Sequence, residues 1–255
     1  MTSSAIDFIK INIALMLFYF SYKAFFVQDT FLKTKRVYLK FSFLFSLYLP
    51  LINFTHWFEG KQITQTLMAN NILLPDLYVV APKSSFSWDV ETVFLMLYFA
   101  VCAVFLIRFF IQLFAIIQMR RKGKVTILFN TKVIVLHDEI APFSFLNWIF
   151  VNPELHTERE LKEILTHELA HVKQVHSGDV FLSELLIMCF WINPVAWLLR
   201  REIRQNLEFL ADNKVLESGF DSKSYQYHLL QLSYQSPDFK LSNKFNVSPL
   251  KKRIT

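Results

Sequence analysis

The sequence predicts a mainly α-helical, multi-pass membrane protein with a small β-sheet. Composition is the first reason, since 53% of the 255 residues are hydrophobic, 28 are phenylalanine and only 4 are glycine. Charged residues make up 19%, below the quarter that is usual in soluble domains. The second reason is a series of long apolar stretches, and the third is a short segment rich in β-branched residues.

The apolar stretches of the first part of the chain predict a membrane domain, residues 1–122, with three spanning helices. A spanning helix needs about 20 apolar residues. Lysine and arginine cluster in the first loop, at 23–40, and again from residue 120, whereas the middle loop, 58–90, holds only Lys61 and Lys83. The positive-inside rule therefore places the first loop and everything after residue 120 in the cytoplasm. The stretches lie at 5–27, 41–57 and 90–119, with the spanning part of the third at 92–111 and the remainder as an interfacial helix.

The net charge of +6 fits the same interpretation. In a membrane protein such an excess marks cytoplasmic loops, and no arginine-rich run with interleaved aromatic residues indicates direct nucleic-acid binding.

Residues 125–151 predict the small sheet. The segments 125–129 and 133–136 are short and β-branched, so a hairpin is expected. The segments 141–145 and 148–151 supply one or two further strands, and Pro142 pushes the first of these to an edge. An exposed edge there would hold an extended peptide by strand addition. A purely structural sheet is the alternative.

An H-E-x-x-H pattern, His167 to His171, follows the sheet. A T-x-x-E capping box at 157–160 and apolar residues at helical spacing predict a helix at 157–177, with Gly178 as its stop. Residues four apart share a helix face, so His167 and His171 can bind one zinc ion while Glu168 acts as general base. The alternative is a pair of solvated histidines on an amphipathic helix.

A catalytic zinc usually has a third protein ligand, and Glu208 is the best candidate. Asp212 lies on the same helix face and can accept the second N–H of a ligand histidine. Arg204, one turn before Glu208, is expected to orient it. The alternative for both acids is a solvated acidic face. His156 and His176 flank the zinc helix, where exposed histidines are the commoner case.

A fourth apolar stretch, 180–199, separates His171 from Glu208. A full membrane crossing between them would keep them apart, so Pro194 is expected to break the stretch into helices at 179–191 and 195–217. The pair would dip into the membrane or lie along it. The predicted metallopeptidase domain is thus 123–219 and faces the cytoplasm, and 220–255 is a short helix followed by a basic tail.

With these motifs the chain resembles the BlaR/MecR-type antirepressor metallopeptidases, the membrane transducers of beta-lactam sensing. The matching pieces are the H-E-x-x-H segment, Trp-Ile-Asn-Pro at 191–194, Glu208 through Asp212, and 246–254. The resemblance implies a gluzincin-like domain in which His167, His171 and Glu208 bind Zn²⁺ and Glu168 is catalytic.

The resemblance also implies a setting. The protein would lie in the bacterial inner membrane and cleave a cytoplasmic transcriptional repressor, or itself, after an extracytoplasmic signal. In such proteins a further span and an extracellular sensor often follow, and this chain ends before either. We therefore expect a sensor partner or a missing carboxyl-terminal sensor domain. The alternatives are an HtpX-like quality-control protease and a non-catalytic signalling scaffold.

Overall fold

The computed structural model describes residues 3–26, 30–52, 90–138 and 140–235. The predicted middle loop, apart from Val90, and the basic tail lie outside the described residues. The elements in chain order are α1 (Ser3–Phe25), α2 (Leu32–Tyr48), a 3-10 turn (Leu49–Leu51), α3 (Val90–Lys122), β1 (Lys124–Leu128), β2 (Thr131–Val135), β3 (Phe143–Phe145), β4 (Trp148–Val151), a second 3-10 turn (Pro153–Leu155), α4 (Glu158–Lys173), α5 (His176–Phe190), α6 (Pro194–Glu217) and α7 (Ser222–Gln235). The predicted mainly helical fold with a small sheet is confirmed.

Two of the described helices are long and apolar enough to cross a membrane, by length and composition. These are Ile6–Phe25 within α1 and Thr92–Lys122 within α3. The third predicted stretch is one continuous helix to Lys122, so no break separates its spanning part from an interfacial remainder.

The second predicted stretch is placed differently. The helix α2 begins at Leu32, so the prediction of a basic loop up to residue 40 is wrong. Lys35 is buried in this helix, and Arg36 binds Asp179 of α5. Protein groups, not water alone, therefore surround these basic side chains. The end of the predicted stretch, 53–57, lies outside the described residues.

The helices α1, α2, α5 and α6 share one apolar core. The chain turns between α5 and α6 at the break that the proline predicts. Asn193 caps α6 by accepting from the Val195 amide at 2.9 Å, and its side-chain amide donates to Asn12 of α1 at 2.8 Å. The fully buried members of this core include Leu15, Leu39, Phe43, Leu186, Leu199 and Leu207.

The sheet is mixed, with strand order β1-β2-β4-β3. The strands β1 and β2 form the predicted antiparallel hairpin, and both turn residues, Phe129 and Asn130, have positive φ, as a two-residue hairpin turn requires. The strand β4 pairs parallel to β2 and antiparallel to β3, which leaves β3 at an edge, as Pro142 predicts.

Each face of the sheet is covered by a helix. Leu161 and Leu165 of α4 pack on one face, and Ile116 and Met119 at the end of α3 pack on the other. Gly123 makes the close approach between α3 and β1, because a Cβ there would lie 2.2 Å from Cγ2 of Ile134. The end of the long apolar helix is therefore part of the domain that carries the predicted site.

The zinc helix is shorter than its sequence predicts. The capping box of Thr157 and Glu160 is present and starts α4, but α4 ends at Lys173 and α5 begins at His176. Gly178 lies inside α5, so its prediction as a stop is wrong. The break comes at Val175, whose φ is 55°, and Arg36 donates to the Gln174 carbonyl at 2.6 Å. A contact from α2 thus helps to set where the helix ends.

Candidate metal centre

Three predicted ligands converge at one point between α4 and α6. The Nε2 atoms of His167 and His171 lie 3.1 Å apart. A carboxylate oxygen of Glu208 lies 3.7 Å from the first of these nitrogens, and its other oxygen lies 3.8 Å from the second. The i, i+4 spacing places both histidines on one face of α4, and α6 delivers the carboxylate from across the groove.

These separations fit a zinc ion. Zinc binds imidazole nitrogen at about 2.0–2.1 Å in tetrahedral geometry, so two donors on one ion lie about 3.3 Å apart. The three observed distances bracket that value. Two imidazoles and one carboxylate form a His2Glu donor set, which is typical of catalytic zinc sites that keep a fourth position for water. The residues present therefore fit the metal.

Glu168 opens onto the same space. It lies beside His167 in sequence and lines a cleft of about 400 Å³ together with all three candidate ligands. Residues 141–144, which lead into and begin the edge strand β3, form another wall. A carboxylate in this position is available to a water molecule bound in the cleft, which is the position a general base needs.

His167 is oriented through its other ring nitrogen. Nδ1 lies 3.2 Å from a carboxylate oxygen of Asp212, and the Tyr225 hydroxyl donates to the same oxygen at 2.8 Å. Asp212 thus lies where its carboxylate can hold the imidazole with Nε2 toward the centre. Burial lowers the pKa of His167, but hydrogen bonds to Asp212 and Glu208 outweigh it and raise that pKa to about 10. The surroundings favour a cation at this imidazole.

His171 is oriented by His176, which the sequence predicts to be exposed at a helix end. His176 is only 1% exposed, and its Nδ1 lies 2.8 Å from Nδ1 of His171. Burial, with the nearby charges of His171 and Arg36, lowers the pKa of His176 to about 3. Nδ1 of the neutral His176 ring accepts a hydrogen bond from Nδ1–H of His171. Its own Nε2–H donates to Gln174 Oε1 at 3.3 Å. This chain of hydrogen bonds leaves His171 Nε2 for a metal.

The structure gives Arg204 a different partner from the expected one. Its guanidinium donates to Glu184 of α5 at 2.6 Å, and Arg200 binds the same carboxylate. The prediction that Arg204 orients Glu208 is therefore corrected. Although Arg204 lies one helical turn from Glu208 on α6, its side chain points toward α5, because the carboxylate of Glu184 binds it there.

Two residues that line the cleft, Tyr225 and His228, are missed by the sequence-based prediction. Both come from α7, whose apolar spacing indicates only an amphipathic helix. His228 lies beside the half-buried His156, with 6.5 Å between ring centroids. Neither contact has a local sequence signal, because each joins segments that are far apart in the chain.

Comparison with known families agrees with this geometry. Residues 145–255 match the family described as BlaR1 peptidase M56. No curated protein shows a significant match to the chain. The matched region begins within β3 and includes both ligand helices.

Proposed function

We propose that the protein is a membrane-bound zinc endopeptidase of signal transduction, because residues 145–255 match the family described as BlaR1 peptidase M56. Its substrate would be a cytoplasmic transcriptional repressor, or the protein itself, cleaved after an extracytoplasmic signal. One observation supports this most strongly: the donor atoms of His167, His171 and Glu208 converge beside Glu168 in a cleft at a sheet edge.

The ligand residues fit a gluzincin-like mechanism. His167, His171 and Glu208 would hold the zinc ion, which would supply Lewis-acid chemistry to the scissile carbonyl and to a water molecule. Glu168 takes the proton of the attacking water and returns it to the leaving amine nitrogen. Asp212 keeps His167 in the required tautomer throughout. A purely structural metal site has no need of a buried carboxylate beside the ligands, which disfavours a non-catalytic scaffold.

The edge strand β3 supports an extended protein substrate. Ser144 lies at the middle of β3 and lines the cleft next to His171. A peptide added along this edge would hydrogen-bond through its backbone and run past the metal ligands. An adjoining opening of about 190 Å³ includes Phe109, Leu113 and Ile116 of α3 together with His171. This opening suits an apolar substrate side chain near the scissile bond.

The setting of the site supports regulation. The proposed arrangement is a multi-pass protein of the bacterial inner membrane with its active site facing the cytoplasm, as lysine and arginine placement predicts. On α2, Arg36 and Lys40 both bind Asp179, six residues beyond the end of α4. A helix next to the apolar α1 thus contacts the segment beside a zinc ligand. Such a contact favours a signal-controlled protease over a general quality-control enzyme.

The test compares three forms of the purified, detergent-solubilised chain: wild type, Glu168→Gln and Glu158→Gln. Glu158 is an exposed carboxylate on the same helix, paired with Lys162, and serves as the matched control. Each form is loaded with zinc and incubated with any repressor encoded beside its gene. Products are mapped by mass spectrometry.

We expect cleavage at one site by the wild type and the Glu158 variant, and none by Glu168→Gln with its zinc retained. Equal cleavage by Glu168→Gln would refute the general-base assignment. Indiscriminate cleavage of unfolded proteins with the repressor left intact would instead favour quality control.

A further inference from the structure

A second group of potential metal ligands adjoins the centre described above, and one member, His228, lines the same cleft. His156, Glu160 and His228 each offer one donor atom, and these atoms lie within 4.8 Å of one another. His156 ends the turn after the sheet, Glu160 lies in the first turn of α4, and His228 lies on α7. The group shares no side chain with the His167, His171 and Glu208 set.

Both histidines of this group have a buried ring nitrogen with no partner. Among the residues that the structure describes, Nε2 of His156 and Nε2 of His228 make no hydrogen bond. His228 is only 6% exposed. Buried polar atoms in proteins are nearly always paired, so two unpaired imidazole nitrogens in one group of potential ligands indicate a bound species.

The tautomer of His228 suits a metal. Its Nδ1 lies 2.9 Å from a carboxylate oxygen of Glu163, which is only 1% exposed. A carboxylate accepts, so Nδ1 carries the proton and Nε2 presents its lone pair. Carboxylate–histidine pairs of this kind orient the ligands of metal sites. Glu163 takes no part in the proposed catalysis, and its other carboxylate oxygen lies 3.4 Å from Nε of Arg159.

Glu160 is also held in place. One of its carboxylate oxygens accepts from the Thr157 amide at 2.8 Å in the capping box, which fixes the side chain over the start of α4. A carboxylate has further lone pairs and can bind a cation while it caps the helix. The group therefore combines two neutral nitrogen donors with one anionic oxygen donor.

We propose that His156, Glu160 and His228 form a second binding site for a divalent transition metal ion, zinc being the metal that this donor set suits best. The site joins the sheet-to-helix connection, the start of α4 and the helix α7. Tyr225 lies three residues before His228 on α7 and donates to Asp212. A second ion bound there would hold in place the helix whose Tyr225 contacts both His167 and Asp212.

The test counts zinc rather than activity. The full chain in detergent is stripped with a chelator and titrated with zinc sulfate against a chromophoric competitor. The variants are His156→Ala, His228→Ala and Glu160→Gln, and glutamine keeps a capping-box acceptor while removing the charge. His137→Ala and Glu158→Gln are matched controls, because both residues are exposed and lie outside the two groups. The His171→Ala variant lacks a ligand of the proposed catalytic centre and should lose the zinc equivalent bound there.

We expect two equivalents for the wild type and both controls, and one for His156→Ala, His228→Ala and His171→Ala. Glu160→Gln should weaken one equivalent at least tenfold. A double variant of His156 and His171 should bind none.

One equivalent in the wild type, lost with His171→Ala and unchanged with His156→Ala, would overturn the proposal and leave the space to a water molecule. Loss of the partner of Glu163 could unfold His228→Ala, so circular dichroism is recorded for each variant, and His156→Ala decides the matter in that case. The number of bound zinc equivalents does not depend on Glu168. If the protein proves to have no protease activity, the number of bound zinc ions still tests the second site.

Discussion

The carboxylate of Asp212 should control how tightly the proposed catalytic zinc is bound. It accepts from the Tyr225 hydroxyl and faces Nδ1 of His167, and Asp212 is only 7% exposed. Asp212→Asn keeps the shape but removes the negative charge that polarises the imidazole. Loss of such a partner weakens metal binding about 10–100-fold, which is about 1.4–2.8 kcal/mol.

The assay measures the zinc affinity of the full chain by competition with a chromophoric chelator. The affinity of interest is that of the zinc equivalent which is absent from the His171→Ala variant. Tyr225→Phe removes only one hydrogen bond to the same carboxylate and should weaken binding at most about tenfold. Glu217→Gln is the control, because Glu217 is exposed on the same helix and paired with Lys214. A folded Asp212→Asn variant that binds zinc as tightly as the wild type would refute the reasoning that this carboxylate tunes His167.

Three further predictions concern the surroundings of the centre. Asp179→Asn removes the carboxylate shared by Arg36 and Lys40 and should lower the free energy of unfolding by about 2–4 kcal/mol, less than a fully buried pair because both cations keep some water; a urea titration showing no loss would contradict this. Asn193→Ala removes a helix cap and should lower it by about 1–2 kcal/mol in the same assay. In zinc-free protein, the raised pKa of His167, about 10, means that its protonation stabilises the fold fully below pH 6.5. That stability should fall as the pH rises through 10, and a flat profile of unfolding free energy would refute it.

Local patterns account for much of the predicted structure. The spacing of His167 and His171 depends only on helix geometry, and Pro194 removes a backbone donor wherever it lies. The hairpin follows from two β-branched runs and a two-residue turn. These features could be predicted because each is determined by residues close together in the sequence.

The remaining features depend on residues far apart in the chain. The end of α4 at Lys173 coincides with a positive φ at Val175, a β-branched residue whose sequence gives no hint of it. The basic run on α2 looked like a loop because Arg36 was expected to meet water, and its partner Asp179 lies 143 residues away. Tyr225 and His228 reach their partners only because α7 folds back onto α4 and α6.

The two ligand helices are joined by α5, which the first two helices of the chain contact. His171 lies near the end of α4 and Glu208 lies in the middle of α6, so the donor separation depends on α5, which joins them. The first two helices contact this joining segment at both ends, since Arg36 binds Asp179 near its start and Asn12 binds Asn193 just after its end. Under the proposed signalling function, we expect a shift of α1 and α2 relative to α3 to move α5 and so to change the distance between His171 and Glu208. Control of metal geometry through α5 needs no contact between a signal and the zinc ligands themselves.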